Sequence, residues 1–176
     1  MNDILIVVDM QNDFIDGALG TNEAIAVVDR AKEKISEFDG DIILTYDTHS
    51  DNYLNTSEGK NLPVPHCIKG THGWQLNKKI SSALTGKKYK TFEKPTFGST
   101  ELVHYINANY SPDKIKLELI GLCTDICVVS NALLLKAAFP ETEISVDARC
   151  CAGVTPESHN AALLTMKMCQ INIIDK

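Results

Sequence analysis

The chain has no long apolar run. Its opening stretch, MNDILIVVDMQNDF, holds one short run that Asp9 interrupts, with no basic segment ahead of it. That excludes a secretory signal and a membrane span, and it predicts a cytoplasmic protein. Positive charge is also scarce. The 17 Lys and Arg against 23 Asp and Glu leave a net charge of −6, and the cations are scattered rather than gathered in a stripe. A nucleic-acid surface is therefore excluded and a small-molecule partner favoured. Paired metal-binding or redox cysteines are missing as well. Of the six cysteines, at 67, 123, 127, 150, 151 and 169, two are four apart and two are adjacent, so neither zinc-ribbon nor thioredoxin-type spacing exists. All six are expected to be reduced. Low-complexity tracts and fixed-period repeats are absent too, which argues against disorder and repeat architectures.

What is present is an ordinary globular composition, 44% hydrophobic and 23% charged, over 176 residues. One domain of that size buries about 70% of the surface its unfolded chain exposes. Short apolar runs alternate with amphipathic stretches. ILIVVDM (4–10) and DIILTYDT (41–48) lack polar alternation and read as strands buried on both faces. Between them Ala24, Val27, Val28, Ala31, Ile35 and Phe38 follow helical spacing, with Thr21 or Asn22 as cap and Gly40 at the far end. KIKLELIGL (114–122), EISVDA (143–148) and INIID (171–175) continue the strands, and helices are predicted near 124–139 and 156–169, the second capped by Thr155 with Pro156 in its first turn. This alternation predicts an α/β fold: three layers, α/β/α, around a mostly parallel, doubly wound, Rossmann-like sheet, all in a single domain over 1–176. Its ligand site belongs at the carboxyl ends of the strands. Residues 51–71, with Gly59, Pro63, Pro65 and Gly70, show no periodicity and read as a functional loop.

Polar residues stand where the strands end: Asp9 after the first, Asp47 and His49 after the second, Lys94 in FEKPTF (92–97), and Thr124, Asp125 and Cys127 in GLCTDICVVS (121–130). A parallel sheet gathers such ends on one edge. The two thiols of 121–130 admit three readings: a metal or redox pair, buried small hydrophobes, or one activated nucleophile. The spacing disfavours the first. For the third, a thiol is only about 3% ionised at pH 7, so full ionisation needs roughly 2 kcal/mol of bias. With Thr124 as helix cap, Cys127 falls in the first turn, where the dipole supplies ~0.3–1 kcal/mol, or up to ~2 when partly buried. A lysine near 4 Å adds ~4 kcal/mol at an effective dielectric of 20, before desolvation. Cys127 beside Lys94 is thus expected to be held as a thiolate, with Asp9 as proton acceptor.

A second cluster lies in 47–70, where Asp47 and His49 sit at a strand end and Glu58 and His66 follow on the loop. Two imidazoles and two carboxylates suit Zn²⁺, and Fe²⁺ or Mn²⁺ accept the same set. His72, His104 and His159 have no such company and read as structural or surface groups; Cys67, Cys150, Cys151 and Cys169 read as core or near-surface thiols.

Taken together, D-x-Q-N-D-F at 9–14, D-x-H at 47–49, HC then GT-x-G at 66–73, K-x-x-F at 94–97, G-x-x-T-D-x-C-V at 121–128, and D-A then H-x-x-A-L near 147–163 run nearly end to end. The chain resembles the isochorismatase-like cysteine hydrolases, and among them the nicotinamidases. That resemblance implies a catalytic triad of Asp9, Lys94 and Cys127, with Cys127 attacking an amide carbonyl to form a thioester that water hydrolyses. It also implies a cis peptide before Cys123, with the N–H groups of Cys123 and Cys127 as oxyanion hole. The implied metal ligands are Asp47, His49 and His66, with Glu58 as the fourth in place of a histidine that many members carry where this chain has Asn55. Phe14 would stack on the substrate ring, helped by Phe97. The implied reaction is hydrolysis of nicotinamide to nicotinate and ammonia, a step of NAD salvage, and homo-oligomers are common among such proteins. The alternatives are another small amide or an isochorismate-type ether as substrate, or a non-catalytic binding domain.

Overall fold

A computed structural model describes residues 2–175. Six strands, β1 (Asn2–Val8), β2 (Asp41–Asp47), β3 (Tyr89–Lys94), β4 (Ile115–Leu122), β5 (Glu143–Ala152) and β6 (Asn172–Ile174), pair in parallel in the order β3-β2-β1-β4-β5-β6. The helices are α1 (Asn12–Ile15), α2 (Asn22–Glu37), α3 (Ser57–Asn61), α4 (Lys78–Ala83), α5 (Thr100–Asn109), α6 (Val129–Ala138) and α7 (Pro156–Met168).

Successive strand side chains point to opposite faces, and in β1 both faces are apolar. Ile4, Ile6 and Val8 pack with Leu102, Ile106, Ala132, Leu135 and Met166 of α5, α6 and α7. Leu5 and Val7 pack on the other side with Phe14, Ala24, Val28, Ala31, Ile35 and Ile80 of α1, α2 and α4. Each fully buried Ile or Leu contributes roughly 1.5–3 kcal/mol, so this central strand is fixed by both layers at once. The predicted caps hold: Thr21 Oγ1 accepts from Ala24 N at 3.0 Å, and Thr155 and Ser158 form a capping box ahead of α7 with Pro156 in its first turn.

Three expectations change. The 51–71 loop is partly ordered into a 3₁₀ turn, Tyr53–Asn55, and the short α3, which Thr56 caps through Gly59 N. Strand β3 has no apolar run to announce it: four of the six residues of YKTFEK are exposed. Strand β5 runs on to Ala152 through a bulge, since β4 advances from Leu119 to Gly121 while β5 advances from Val146 to Cys151.

Strand order reverses between β1 and β4, which are neighbours although a hundred residues apart, and a crevice opens outside the carboxyl ends at such a point. Register aligns those ends: Val8 faces Thr45 on one side and Gly121 on the other, and Asp47 faces Lys94. Gly121 has φ +120°, and a Cβ on it would lie 2.0 Å from Val8 O, so only glycine lets the two central strands end this close together.

Candidate active site

The first residue beyond β1 is Asp9, whose φ of +46° is uncommon for a side-chain-bearing residue and turns the carboxylate into the crevice. Its Oδ1 accepts from Thr45 Oγ1 at 2.7 Å, and its Oδ2 lies 2.6 Å from Lys94 Nζ. Lys94, only 1% exposed, ends β3; its ammonium also donates to Thr96 O at 3.0 Å and to Cys127 Sγ at 3.3 Å. Acid, amine and thiol, predicted from three distant segments, therefore meet at the switch point with Asp9, Lys94 and Cys127 all buried. The peptide between Leu122 and Cys123 is cis, as the resemblance implied.

The turn that bears the thiol departs from the expected one. Thr124 is not the cap: Cys123 holds that place without a side-chain bond, Thr124–Val128 form one turn of π-helix leading into α6, and the Thr124 hydroxyl pairs with His159 Nδ1 at 2.8 Å. Burial pushes the Cys127 thiol well above its usual range, and the negative charge of Asp9 adds to this against the weaker pull of Lys94. One ammonium shared with Asp9 and Asp47 favours a thiolate less than an ammonium held for the sulfur alone. Asp9 in turn is raised by burial, which Lys94 only partly offsets, so it is a better proton acceptor than a surface carboxylate. Burial works against the Lys94 ammonium, but the carboxylates of Asp9 and Asp47 beside it keep it charged.

Asp47 faces two ways. One oxygen lies 3.5 Å from Lys94 Nζ; the other lies 2.9 Å from His49 Nε2 and 3.3 Å from His66 Nε2. Glu58 Oε1, brought in by α3, stands 3.7 and 3.6 Å from the same two nitrogens. One donor atom from each of Asp47, His49, Glu58 and His66 falls within 4.8 Å of all the others. The fit to a divalent cation rests on the donors themselves. His49 Nε2 is buried with no hydrogen bond of good geometry, and His66 Nδ1 donates to Val64 O at 2.8 Å, which leaves the Nε2 lone pair of His66 aimed at the centre. Burial raises Asp47, yet the adjacent imidazoles of His49 and His66 and the charge of Lys94 outweigh it and hold the carboxylate below its usual range. Glu58 is raised by burial and by Asp47, the like-charge crowding that a cation relieves. Asn55 is exposed and bonds Asn52, whereas Glu58 is the residue that the fold brings beside Asp47, His49 and His66. The Phe14 ring meets His66 edge-on with centroids 5.5 Å apart. Phe97, 42% exposed, follows Lys94 on the loop that Asn131 Nδ2 holds through Phe97 O.

Several supporting residues had no assigned role in the sequence. Gln11 clamps the main chain of Asp47, donating to its carbonyl and accepting from its N–H, both at 2.8 Å. Asp13 accepts from Cys67 N at 2.7 Å, and Gly73 leaves room for its carboxylate, since a Cβ there would lie 2.1 Å from Asp13 Oδ2. Both belong to the D-x-Q-N-D-F motif, which was the available signal. Thr45 is a fully buried polar residue inside an apolar strand. Tyr53 wedges its ring against His49 and His66, at 4.7 and 4.9 Å; nothing in its surrounding loop pattern marked it.

A doubly wound parallel sheet with an acid, an amine and a thiol converging on its switch point defines an enzyme site rather than a scaffold surface. The chain belongs to the isochorismatase family: the isochorismatase domain matches residues 3–176. It is 26% identical to the nicotinamidase/pyrazinamidase of Mycobacterium tuberculosis over 97% of each chain. Among solved structures, nicotinamidase/pyrazinamidase PncA from Bacillus subtilis superposes with a TM-score of 0.86 at 26% identity, covering 99% of this chain and 100% of that one. The pyrazinamidase of Pyrococcus horikoshii in complex with zinc gives 0.83 at 26% identity over 100% of both chains.

Proposed function

We propose that this amidohydrolase cleaves nicotinamide to nicotinate and ammonia, using Cys127 as nucleophile, Asp9 as proton carrier and Lys94 as the fixed cation between them. The observation that carries the reading is the buried contact of Lys94 Nζ with Asp9 at 2.6 Å and with Cys127 at 3.3 Å. As Cys127 Sγ bonds to the carboxamide carbon, its proton passes to Asp9, and the carbonyl oxygen takes the negative charge beside the N–H groups of Cys123 and Cys127. Asp9 then returns the proton to the departing nitrogen, so ammonia leaves and a thioester remains. Water, deprotonated by Asp9, attacks the thioester; nicotinate departs and the thiol regains its proton. Through both halves Lys94 keeps its charge and stabilises whichever of Asp9 and Cys127 is anionic.

Asp47, His49, Glu58 and His66 would hold the divalent cation, with zinc favoured by the two imidazoles and by the zinc-bound relative. When bound, it would supply a Lewis-acid contact for the substrate's ring nitrogen. Phe14 and Phe97 flank the ring, and the reaction would serve NAD salvage in the cytoplasm. The test is ammonia release from nicotinamide and pyrazinamide by the zinc-loaded protein. Turnover is expected in the wild type and in Cys169→Ala and absent in Cys127→Ala; no release from either amide by the loaded wild type removes the reading.

A further inference from the structure

The turn bearing Cys127 is held from behind. Thr124, its first residue, is fully buried and shares its 2.8 Å hydrogen bond with His159 Nδ1 on α7. The next residue, Asp125, accepts from Val154 N at 3.0 and 3.2 Å and from the Ser158 hydroxyl. Ser158 is itself fixed by the capping box of α7, with Ser158 N and Thr155 N each donating at 3.1 Å. Gly153 presses on the same helix: a Cβ there would lie 2.9 Å from both the Cβ and the backbone N of His159. The first turn of α7, the segment leaving β5 and the start of the cysteine turn thus lock together.

The winding of that turn gives the lock its purpose. Val128 N donates to Cys123 O at 3.0 Å, an i→i+5 bond that encloses one residue more than an α-turn. Relaxation to ordinary α winding would rotate the side chains beyond it by about 100° and carry the sulfur off Lys94 and Asp9. A buried Thr124 hydroxyl that lost its partner would favour such a rearrangement. We infer that His159 is a positioning residue: by holding Thr124 it fixes the wide turn and thereby the direction in which Cys127 Sγ leaves the backbone. The inference rests on the reading of Cys127 as nucleophile, but one arm of its test needs no substrate.

The variants are His159→Leu, His159→Asn, Thr124→Val and the double Thr124→Val/His159→Leu, each in the full zinc-loaded chain. Ammonia release gives kcat and KM, and peptide-resolved mass spectrometry gives the rate of Cys127 alkylation by iodoacetamide. His159→Leu is expected to lower kcat about tenfold or more with KM within about twofold, and to change the Cys127 alkylation rate by a similar factor. His159→Asn, whose amide reaches the place of Nδ1, should restore most of both. Thr124→Val should match His159→Leu, and the double variant should be no worse than either single one, as expected of residues acting through one bond. Wild-type kcat and alkylation in folded His159→Leu, absence of rescue by Asn, or additive losses in the double variant would each overturn the assignment. If His159→Leu does not fold, Thr124→Val and the Asn variant decide alone. If the wild type turns over neither amide, the alkylation rates still decide the role of His159.

Discussion

In the proposed mechanism Asp9 bears the chemistry most directly, because a proton rests on it twice per turnover. Asp9→Asn preserves the volume and the bond from Thr45 but cannot accept a proton, so on the proposed mechanism kcat is expected to fall about 10²–10⁴-fold. The same residue sets the acid limb of the pH profile. Burial raises its pKa, so the working carboxylate is lost as pH falls through a value above the ordinary carboxylate range near 3.9. In a kcat/KM profile the acid limb should accordingly bend higher than that range. At this scale Asp9, Cys127, Asp47, His49, Glu58 and His66 were legible as candidates, because each stands where an apolar run stops or in the loop that follows, and Lys94 by its K-x-x-F motif, since its strand has no apolar run. The upward push on the sulfur's pKa was not legible. It depends on how many anions share one cation, and the approach of Asp47 to Lys94 has no trace in sequence spacing.

Among the elements, α3 and the β1–β4 contact make separate demands. Helix α3 has five residues and owes its place to Thr56 and to Tyr53, whose hydroxyl donates to Leu62 O at 2.9 Å. Through it Glu58 reaches the histidines. Glu58→Ala should weaken zinc binding by at least the 10–100-fold or so that loss of an outer-shell partner costs, measured by competition with a chromophoric chelator. Gly121→Ala places a methyl group against Val8 O and forces a positive φ on a residue with a side chain. It should cost at least about 2 kcal/mol in urea unfolding, with the loss visible even where no substrate or metal is present. Strands buried on both faces and capped helices were legible because their signals are local. Strand β3 was not, since its exposed edge needs no apolar pattern, and the π-turn was not, since its winding is imposed by α7 rather than by Thr124–Val128 themselves.

For the molecule as a whole, resistance to acid should depend on a group far from the crevice. Asp147, fully buried in the bulged β5, lies 2.6 Å from Arg149 and 3.6 Å from Lys34. Burial raises its pKa, but the Arg149 bonds and the charge of Lys34 prevail, and the carboxyl is held below its usual range. A carboxyl more acidic in the folded than in the unfolded chain contributes stability that is fully present above about pH 4 and lost as pH falls through the folded value. Asp147→Asn should be less stable than wild type at pH 7, by about 2 kcal/mol, and the gap should close as unfolding is measured toward pH 3. The strand order has one more consequence. The stretch through β3 contains Asp9, Lys94 and the whole cation-binding quartet, while the sulfur arrives only with β4, on the other side of the sheet's centre. During synthesis the emerging chain is unarmed until its second half docks, and two polypeptides divided in the connection before β4 would each be inert and would recover chemistry only by joining.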